Sequence, residues 1–132
     1  MVGEVDLMIC DLLGIDPRFG EPLQGQRYDV GQEFKAHTDT FNPGGYDFYL
    51  HTSNGGQRTW TAMVYLNEPE EGGGTRFKLI GKTMQPQTGK LLTWNNLNSD
   101  GQPNPATLHH GMKVRSGVKY IITKWFRESP RA

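Results

Sequence analysis

Apolar residues near the start of the chain recur at the spacing of an amphipathic helix. Over residues 4–13, Val5, Ile9 and Leu12 share one side, while aspartates occupy the other. Gly14 follows where helices commonly end, because glycine adopts the left-handed conformation of a C-cap without steric conflict. We predict one helix here, packed on the face of a sheet.

Beyond Pro22 the pattern changes to short segments separated by turns. The clearest strand is 60–66, which is rich in the Thr, Val, Tyr and Trp that favour strands. Further strands are predicted at 24–30, 33–39, 75–80, 90–94, 107–110 and 119–127. Turns or loops are predicted at 42–45, 53–56, 70–74, 95–105 and 115–117. Short strands with one helix are typical of a jelly roll, and the pattern alone leaves a β-sandwich equally open.

The composition narrows the classes of partner. The chain has 132 residues, enough for one domain, and its 14 Lys and Arg balance 14 Asp and Glu. A net charge of zero argues against a nucleic-acid partner, since proteins that bind phosphate backbones usually carry a basic excess. No apolar run approaches the roughly 18–20 residues that span a bilayer, so we expect no membrane partner.

Domain organisation and location follow from the same features. We predict a single domain over 1–132, with a helical segment at 1–20 and a core of strands at 21–128. Cys10 is the only cysteine, which excludes an intrachain disulfide and predicts a reducing, cytoplasmic location.

His37 and Asp39 are the first candidate metal ligands. Side chains at i and i+2 of a strand point to the same face, so this imidazole and carboxylate are expected to project together. Two histidines and one carboxylate form the facial triad that binds non-haem iron(II) and leaves three positions open. The pair alone is weak evidence for a metal site, since a surface His beside a surface Asp fits the same pattern.

A third ligand must come from another part of the chain. His51 lies in a glycine-rich segment predicted as a loop, which would hold a ligand poorly. His109 and His110 are adjacent on a predicted strand, so they face opposite sides and only one can reach a shared metal. The residues themselves leave that choice open.

Lys119 is a candidate anchor for an anion. It enters an otherwise apolar strand after a turn at Gly117, so it lies either at the rim or paired inside. A buried ammonium on a neighbouring strand would bind the far carboxylate of a dicarboxylate whose other end chelates the metal.

The order of these motifs resembles that of the 2-oxoglutarate- and iron(II)-dependent prolyl 4-hydroxylases. H-x-D at 37–39 is followed by L-H-x-G at 108–111 and by Lys119, ten positions past His109. Further resemblances are Y-x-x-G-x-x-[YF]-x-x-H-x-D at 28–39, QR and YL within 57–66, EGG-x-T-x-F at 71–77 and K…KW at 119–125. They cover residues 21–128 in order.

The resemblance implies a double-stranded β-helix, the cupin-like jelly roll. It implies hydroxylation of peptidyl proline, with Fe(II), 2-oxoglutarate and O2 as cofactors and ascorbate as a reductant. The partner would be a peptide or protein that contains proline. The resemblance selects His109 over His110, so that His37, Asp39 and His109 hold the iron.

The resemblance also assigns residues around the metal. Lys119 would pair with the distal carboxylate of 2-oxoglutarate, and Thr75 would add a hydrogen bond to it. Three further residues match positions near the peptide substrate or the cleft wall: Tyr28, Arg58 and Trp125.

Two departures and several alternatives accompany this interpretation. Phe34 replaces a family tyrosine and so lacks its hydroxyl, and the chain has less N-terminal structure than the family usually has, as in a shortened chain. A homodimer would cover apolar surface left open by shortening. The alternatives are the same chemistry on a lysyl residue, a free amino acid or a small molecule, a nucleic-acid demethylase, and a non-catalytic cupin-like module that binds a metal or dicarboxylate.

Overall fold

The protein, described by a computed structural model over residues 1–131, consists mainly of short antiparallel strands. In chain order the elements are α1 (Val2–Leu13), β1 (Gln24–Tyr28), β2 (Phe34–His37), α2 (Phe48–Thr52), β3 (Arg58–Tyr65), β4 (Glu71–Gly72), β5 (Thr75–Phe77), β6 (Lys82–Met84), β7 (Leu91–Asn95), β8 (His109–Gly111), β9 (Val114–Ser116) and β10 (Lys119–Arg127). Two 3-10 turns lie at Pro17–Phe19 and Pro105–Thr107.

The strands form two four-stranded sheets. One has the order β1-β10-β3-β7 and the other the order β2-β8-β5-β6, while β4 and β9 form a separate two-stranded ribbon. Sequence neighbours such as β1 and β2 lie in different sheets, and residues of both sheets line one cavity. The predicted jelly roll is therefore confirmed.

Alternation along β10 separates the interior into two layers. Ile121 and Trp125 point between the sheets and line the cavity. Ile122 and Phe126 point the other way and pack with Ile9 of α1. The predicted helix thus covers the outer face of the first sheet, and it ends at Gly14, whose φ of 68° is left-handed. No helix in residues 1–131 has the length and apolar character to cross a bilayer.

Several predicted boundaries are wrong, and local hydrogen bonds explain them. The strand predicted at 75–80 ends at Phe77, because a tight turn follows in which the Gly81 N–H donates to the Lys78 carbonyl at 3.3 Å. The strand predicted at 107–110 begins only at His109, since the Asn104 side chain accepts from the Ala106 N–H at 3.1 Å and opens a 3-10 turn. The short strands β4, β6 and β9 were not predicted.

The prediction that His51 lies in a loop is also wrong. His51 belongs to the short helix α2, and its N–H donates to the Asp47 carbonyl at 3.1 Å. Asn and Gly residues on both sides of this helix dominate the local pattern and conceal it. The turn predicted at 115–117 narrows to Gly117, whose φ is +87°, because β9 extends to Ser116.

Candidate metal centre and co-substrate pocket

One cavity between the two sheets contains the main residues predicted for chemistry. It has a volume of about 420 Å³, open solvent at its mouth included. His37, Asp39, His109 and Lys119 all line it, although they come from three separate segments of the chain. The candidate metal ligands and the candidate anchor therefore share one space.

Strand pairing brings the two histidines together. His37 at the end of β2 lies opposite His109 at the start of β8. Asp39 follows two residues after His37, and its Oδ1 lies 3.4 Å from His37 Nε2 and 3.5 Å from His109 Nε2. One ligand atom from each of the three side chains lies within 4.8 Å of the other two.

Backbone carbonyls fix which ring nitrogen of each histidine is free. His37 Nδ1 lies 2.7 Å from the Lys35 carbonyl, and His109 Nδ1 lies 2.8 Å from the Thr107 carbonyl. A carbonyl only accepts, so each Nδ1 carries the proton and each Nε2 offers a lone pair toward Asp39. Three acceptor atoms that converge without a donor fit a divalent cation, and the two-histidine, one-carboxylate set fits iron(II).

The surroundings shift the three pKa values in different directions. Burial lowers the pKa of His109, which therefore stays neutral and able to bind a metal at neutral pH. Burial is the largest influence on His37 and Asp39 and opposes their charged forms, but the opposing contacts together outweigh it: Asp39 and the Lys35 carbonyl for His37, and the two histidines and Thr61 for Asp39. The pKa of His37 is raised and that of Asp39 is lowered. A proton on His37 competes with a metal, so acid should weaken metal binding.

The other two histidines do not join this cluster. His110 points away from His109, as predicted for adjacent strand residues, and its Nε2 lies 2.8 Å from Glu33 Oε1. The His51 ring stacks on Phe41 with a centroid distance of 4.8 Å, and its carbonyl accepts from Arg127.

Lys119 is a buried cation without an acceptor. Its residue is 3% exposed, and burial lowers the pKa of its ammonium to about 8. No carboxylate or hydrogen-bond acceptor in residues 1–131 pairs with its Nζ, which instead lies 5.0 Å from the centre of the Tyr28 ring. An unpaired ammonium at a cavity wall fits an anionic ligand.

Thr75 lines the same cavity, but its hydroxyl is already engaged. Its Oγ1 lies 2.6 Å from the hydroxyl of Tyr65, which is fully buried. Tyr65 was not among the predicted site residues. It shares the face of β3 with Thr61 and Met63, both of which line the cavity, so strand alternation could have pointed to it.

The three residues predicted near the substrate or the cleft wall have different positions. Tyr28 and Trp125 line the cavity, whereas Arg58 does not. Arg58 lies behind the wall, where its guanidinium stacks 4.1 Å from the centre of the Trp125 ring. It also donates to Glu21 at 2.7 Å, and Glu21 accepts from Arg127 at the same distance. Arg58 therefore supports the wall in this structure.

Sequence reasoning missed two further residues of the cavity. Thr61 donates a 2.6 Å hydrogen bond to Asp39 Oδ2. Trp94 packs on His109 with ring centroids 4.7 Å apart, and its buried indole N–H has no hydrogen-bond partner among residues 1–131. Phe34, which stands where the family has a tyrosine, stacks on the His37 ring with a centroid distance of 3.8 Å and limits the rotation of that ring.

Known proteins resemble this chain in sequence and in fold. The family model of the 2OG-Fe(II) oxygenase superfamily matches residues 23–127. The chain belongs to the 2OG-Fe(II) oxygenase superfamily. Within it, the resemblance to prolyl 4-hydroxylases is confirmed. The chain is 32% identical to the probable prolyl 4-hydroxylase 10 of Arabidopsis thaliana and 30% identical to the human prolyl 4-hydroxylase subunit alpha-1.

These matches cover nearly all of this chain but only part of each relative. They cover 96% and 97% of this chain, but only 48% of the Arabidopsis protein and 24% of the human subunit. The chain therefore spans half or less of the length of these relatives. A viral collagen prolyl hydroxylase from Paramecium bursaria Chlorella virus-1, solved as a complex with 2OG, is 26% identical with a TM-score of 0.81. That match covers 97% of this chain and 72% of the viral one.

Proposed function

We propose that this protein is an iron(II)- and 2-oxoglutarate-dependent dioxygenase that hydroxylates prolyl residues in peptides. One observation carries the proposal: three convergent metal-ligand atoms and one unpaired buried ammonium line a single cavity. A metal site alone would fit many functions, but the second, cationic pole fits a dicarboxylate that reaches from the metal to Lys119.

Each pole has a defined role in this proposal. His37, Asp39 and His109 would hold iron(II), and Lys119 would bind the distal carboxylate of 2-oxoglutarate, with Thr75 beside it. Bound iron(II) would activate O2, which would oxidise 2-oxoglutarate to succinate and CO2 and a substrate C–H bond to C–OH. Ascorbate would serve as the reductant that keeps the iron in the ferrous state.

The chain's own residues orient these groups and exclude water. The carbonyls of Lys35 and Thr107 hold the two imidazoles with Nε2 toward the metal position. Apolar side chains such as Met63 and Ile121 line the space between the poles. The resulting low-dielectric environment strengthens the attraction between the Lys119 ammonium and a carboxylate.

The names of the relatives support a prolyl substrate. The plant and human relatives are prolyl 4-hydroxylases, and the viral neighbour is a collagen prolyl hydroxylase. Tyr28 and Trp125 give the cavity aromatic walls that would suit a pyrrolidine ring. A homodimer and a cytoplasmic location stay predictions, which size-exclusion chromatography with light scattering and cell fractionation would test.

The test is a turnover assay with a mass readout. The protein is incubated with Fe(II), 2-oxoglutarate, ascorbate and proline-rich peptides, and succinate and peptide mass are measured. We expect succinate formation that depends on the peptide, together with a gain of one oxygen atom on proline. Peptides with alanine for proline are the control, and lysine-containing peptides test the alternative substrate.

Loss-of-ligand variants complete the test. His37→Ala or Asp39→Ala should abolish peptide-dependent succinate formation while circular dichroism shows the fold retained. Turnover like that of the parent protein in either variant would refute the ligand assignment. Metal and 2-oxoglutarate binding without any oxygen uptake would instead favour the non-catalytic module.

A further inference from the structure

The Asp39 carboxylate uses its two oxygens differently. Oδ1 faces both histidine Nε2 atoms, whereas Oδ2 accepts a 2.6 Å hydrogen bond from the Thr61 hydroxyl. Both residues are buried, with Thr61 1% exposed and Asp39 7% exposed. Water therefore does not readily compete for this contact.

A second buried residue determines the direction of that hydrogen bond. Asn96 is completely buried, and its Nδ2 lies 2.9 Å from Thr61 Oγ1. A hydroxyl has a single proton, and an ionised carboxylate can only accept, so Thr61 donates to Asp39. Thr61 must then accept from Asn96, which presents its amide NH2, while its buried Oδ1 has no partner in the part of the chain that the structure describes.

The sheet holds Thr61 and Asn96, the two residues that form this series of hydrogen bonds to Asp39, in place. Thr61 lies in β3 opposite Trp94 of β7. Just beyond β7, the Asn96 N–H donates to the Thr59 carbonyl at 2.7 Å, and the Asn96 carbonyl accepts from the Asn104 N–H at 2.9 Å. The backbone of Asn96 is thus fixed on both sides, and burial leaves its side-chain amide little room to move.

We propose that Thr61 and Asn96 are positioning residues that restrict Asp39 to coordination through Oδ1 alone. This inference rests on the proposed iron(II) site. Two histidines and a one-oxygen carboxylate leave three positions of an octahedral ion open. A carboxylate that coordinated through both oxygens would occupy one of the positions that 2-oxoglutarate and O2 require.

The test compares substitutions at Thr61 by their effect on metal affinity. Metal-free protein is titrated with Mn(II), and free Mn(II) is followed by electron paramagnetic resonance. Thr61→Val keeps the shape of the side chain but removes the donor, and we expect Mn(II) affinity to fall about 10- to 100-fold, as for other outer-shell partners. Thr61→Ser keeps the hydroxyl and should bind within about threefold of the parent protein.

Thr93→Val is the matched control. Thr93 lies on the neighbouring strand β7, and its hydroxyl donates to the Thr61 carbonyl at 3.0 Å rather than to Asp39. We expect Thr93→Val to leave Mn(II) affinity unchanged within about twofold. A loss in Thr93→Val equal to that in Thr61→Val would show a general effect on the sheet and overturn the proposal.

Substitutions at Asn96 test the direction of the hydrogen bonds that run from Asn96 through Thr61 to Asp39. Asn96→Ala removes the donor that orients Thr61, whereas Asn96→Asp adds a carboxylate that competes with Asp39 for the Thr61 proton. We expect Mn(II) affinity to fall further in Asn96→Asp than in Asn96→Ala. This comparison tests the proposal independently if Thr61→Val does not fold.

The outcomes separate this inference from the proposed function. If the parent protein binds no Mn(II), the metal site itself is wrong and both proposals fail. If the parent binds Mn(II) and Thr61→Val binds it equally well, only the positioning role is refuted. Equal Mn(II) affinities of the two Asn96 variants and the parent protein would likewise refute the positioning role of Asn96.

Discussion

Two lysines on strand β10 are equally buried but have opposite surroundings. Lys119 is 3% exposed and Lys124 is 2% exposed. The ammonium of Lys124 forms a 2.7 Å ion pair with Asp6 of α1 and donates to the Glu21 carbonyl at 2.5 Å. The ammonium of Lys119 faces the Tyr28 ring in a cavity wall, and no acceptor in residues 1–131 pairs with it.

The contrast separates a structural charge from a functional one. A buried ammonium is costly unless it is paired, so Lys124 has its partners within the fold. The backbone even makes room for it, since a Cβ at Gly20 would lie 2.6 Å from Lys124 Cε. Lys119 has the same cost without a partner, which is consistent with a partner that arrives as a ligand.

The largest expected effect is on co-substrate affinity at Lys119. Lys119→Met keeps the length of the side chain but removes the charge that would pair with 2-oxoglutarate. We expect the 2-oxoglutarate affinity to fall about 100- to 1,000-fold, which corresponds to roughly 3–4 kcal/mol for a desolvated charge pair. Calorimetric titration in the presence of Mn(II) measures it, and unchanged affinity would remove Lys119 from the site.

The same change at Lys124 should act on stability instead. Lys124→Met leaves Asp6 and the Glu21 carbonyl without their partner, and we expect the free energy of unfolding to fall by about 3 kcal/mol. Lys119→Met should not lower it, because no hydrogen bond or ion pair of the Lys119 ammonium within residues 1–131 is lost and a costly buried charge is removed. Urea denaturation of both variants makes the comparison, and equal losses of stability would contradict the distinction between the two lysines.

The smallest expected effect is a pH dependence of stability. The pKa of Lys119 in the folded protein is lowered to about 8 from its usual 10.5, so the unfolded chain binds more protons between these values. Stability should therefore rise with pH across this window, by about 1.5 kcal/mol between pH 8 and 9.5.

Comparison with Lys119→Met isolates this contribution. The raised pKa values of Tyr28 and Tyr65, caused mainly by burial, act in the opposite sense near pH 10 and are common to both proteins. The difference in unfolding free energy between the parent protein and Lys119→Met, measured from pH 7 to 9.5, should shrink as pH rises. A difference that is constant with pH would show that burial does not disfavour the charged form of Lys119.

The sequence predicted the parts of the site that rest on strand periodicity. His37 with Asp39, and His109 facing away from His110, follow from alternation along strands, although Asp39 itself lies two residues beyond the end of β2. The resemblance was needed to choose His109, because the pairing of β2 with β8 is a long-range contact that no local pattern encodes. The helix α1 was predicted because its repeat is long and ends at a glycine.

The remaining features depend on contacts between distant segments. Thr61 and Asn96 are ordinary polar residues until the sheet places them in a line behind Asp39. Arg58 was predicted to lie near the substrate or the cleft wall, and Glu21 and the Trp125 ring hold it behind the wall, through contacts that span 37 and 67 positions of the chain. Short elements such as α2 and β6 escape local patterns because five and three residues are too few to show a hydrophobic period.

The most direct test is whether metal and 2-oxoglutarate bind interdependently in this cavity. Calorimetric titration of 2-oxoglutarate into the protein, with and without Mn(II), measures this coupling. We predict at least tenfold tighter binding with Mn(II), and loss of that gain in Asp39→Ala. Equal 2-oxoglutarate affinity with and without the metal would contradict a site in which one ligand joins the histidine–aspartate cluster to Lys119.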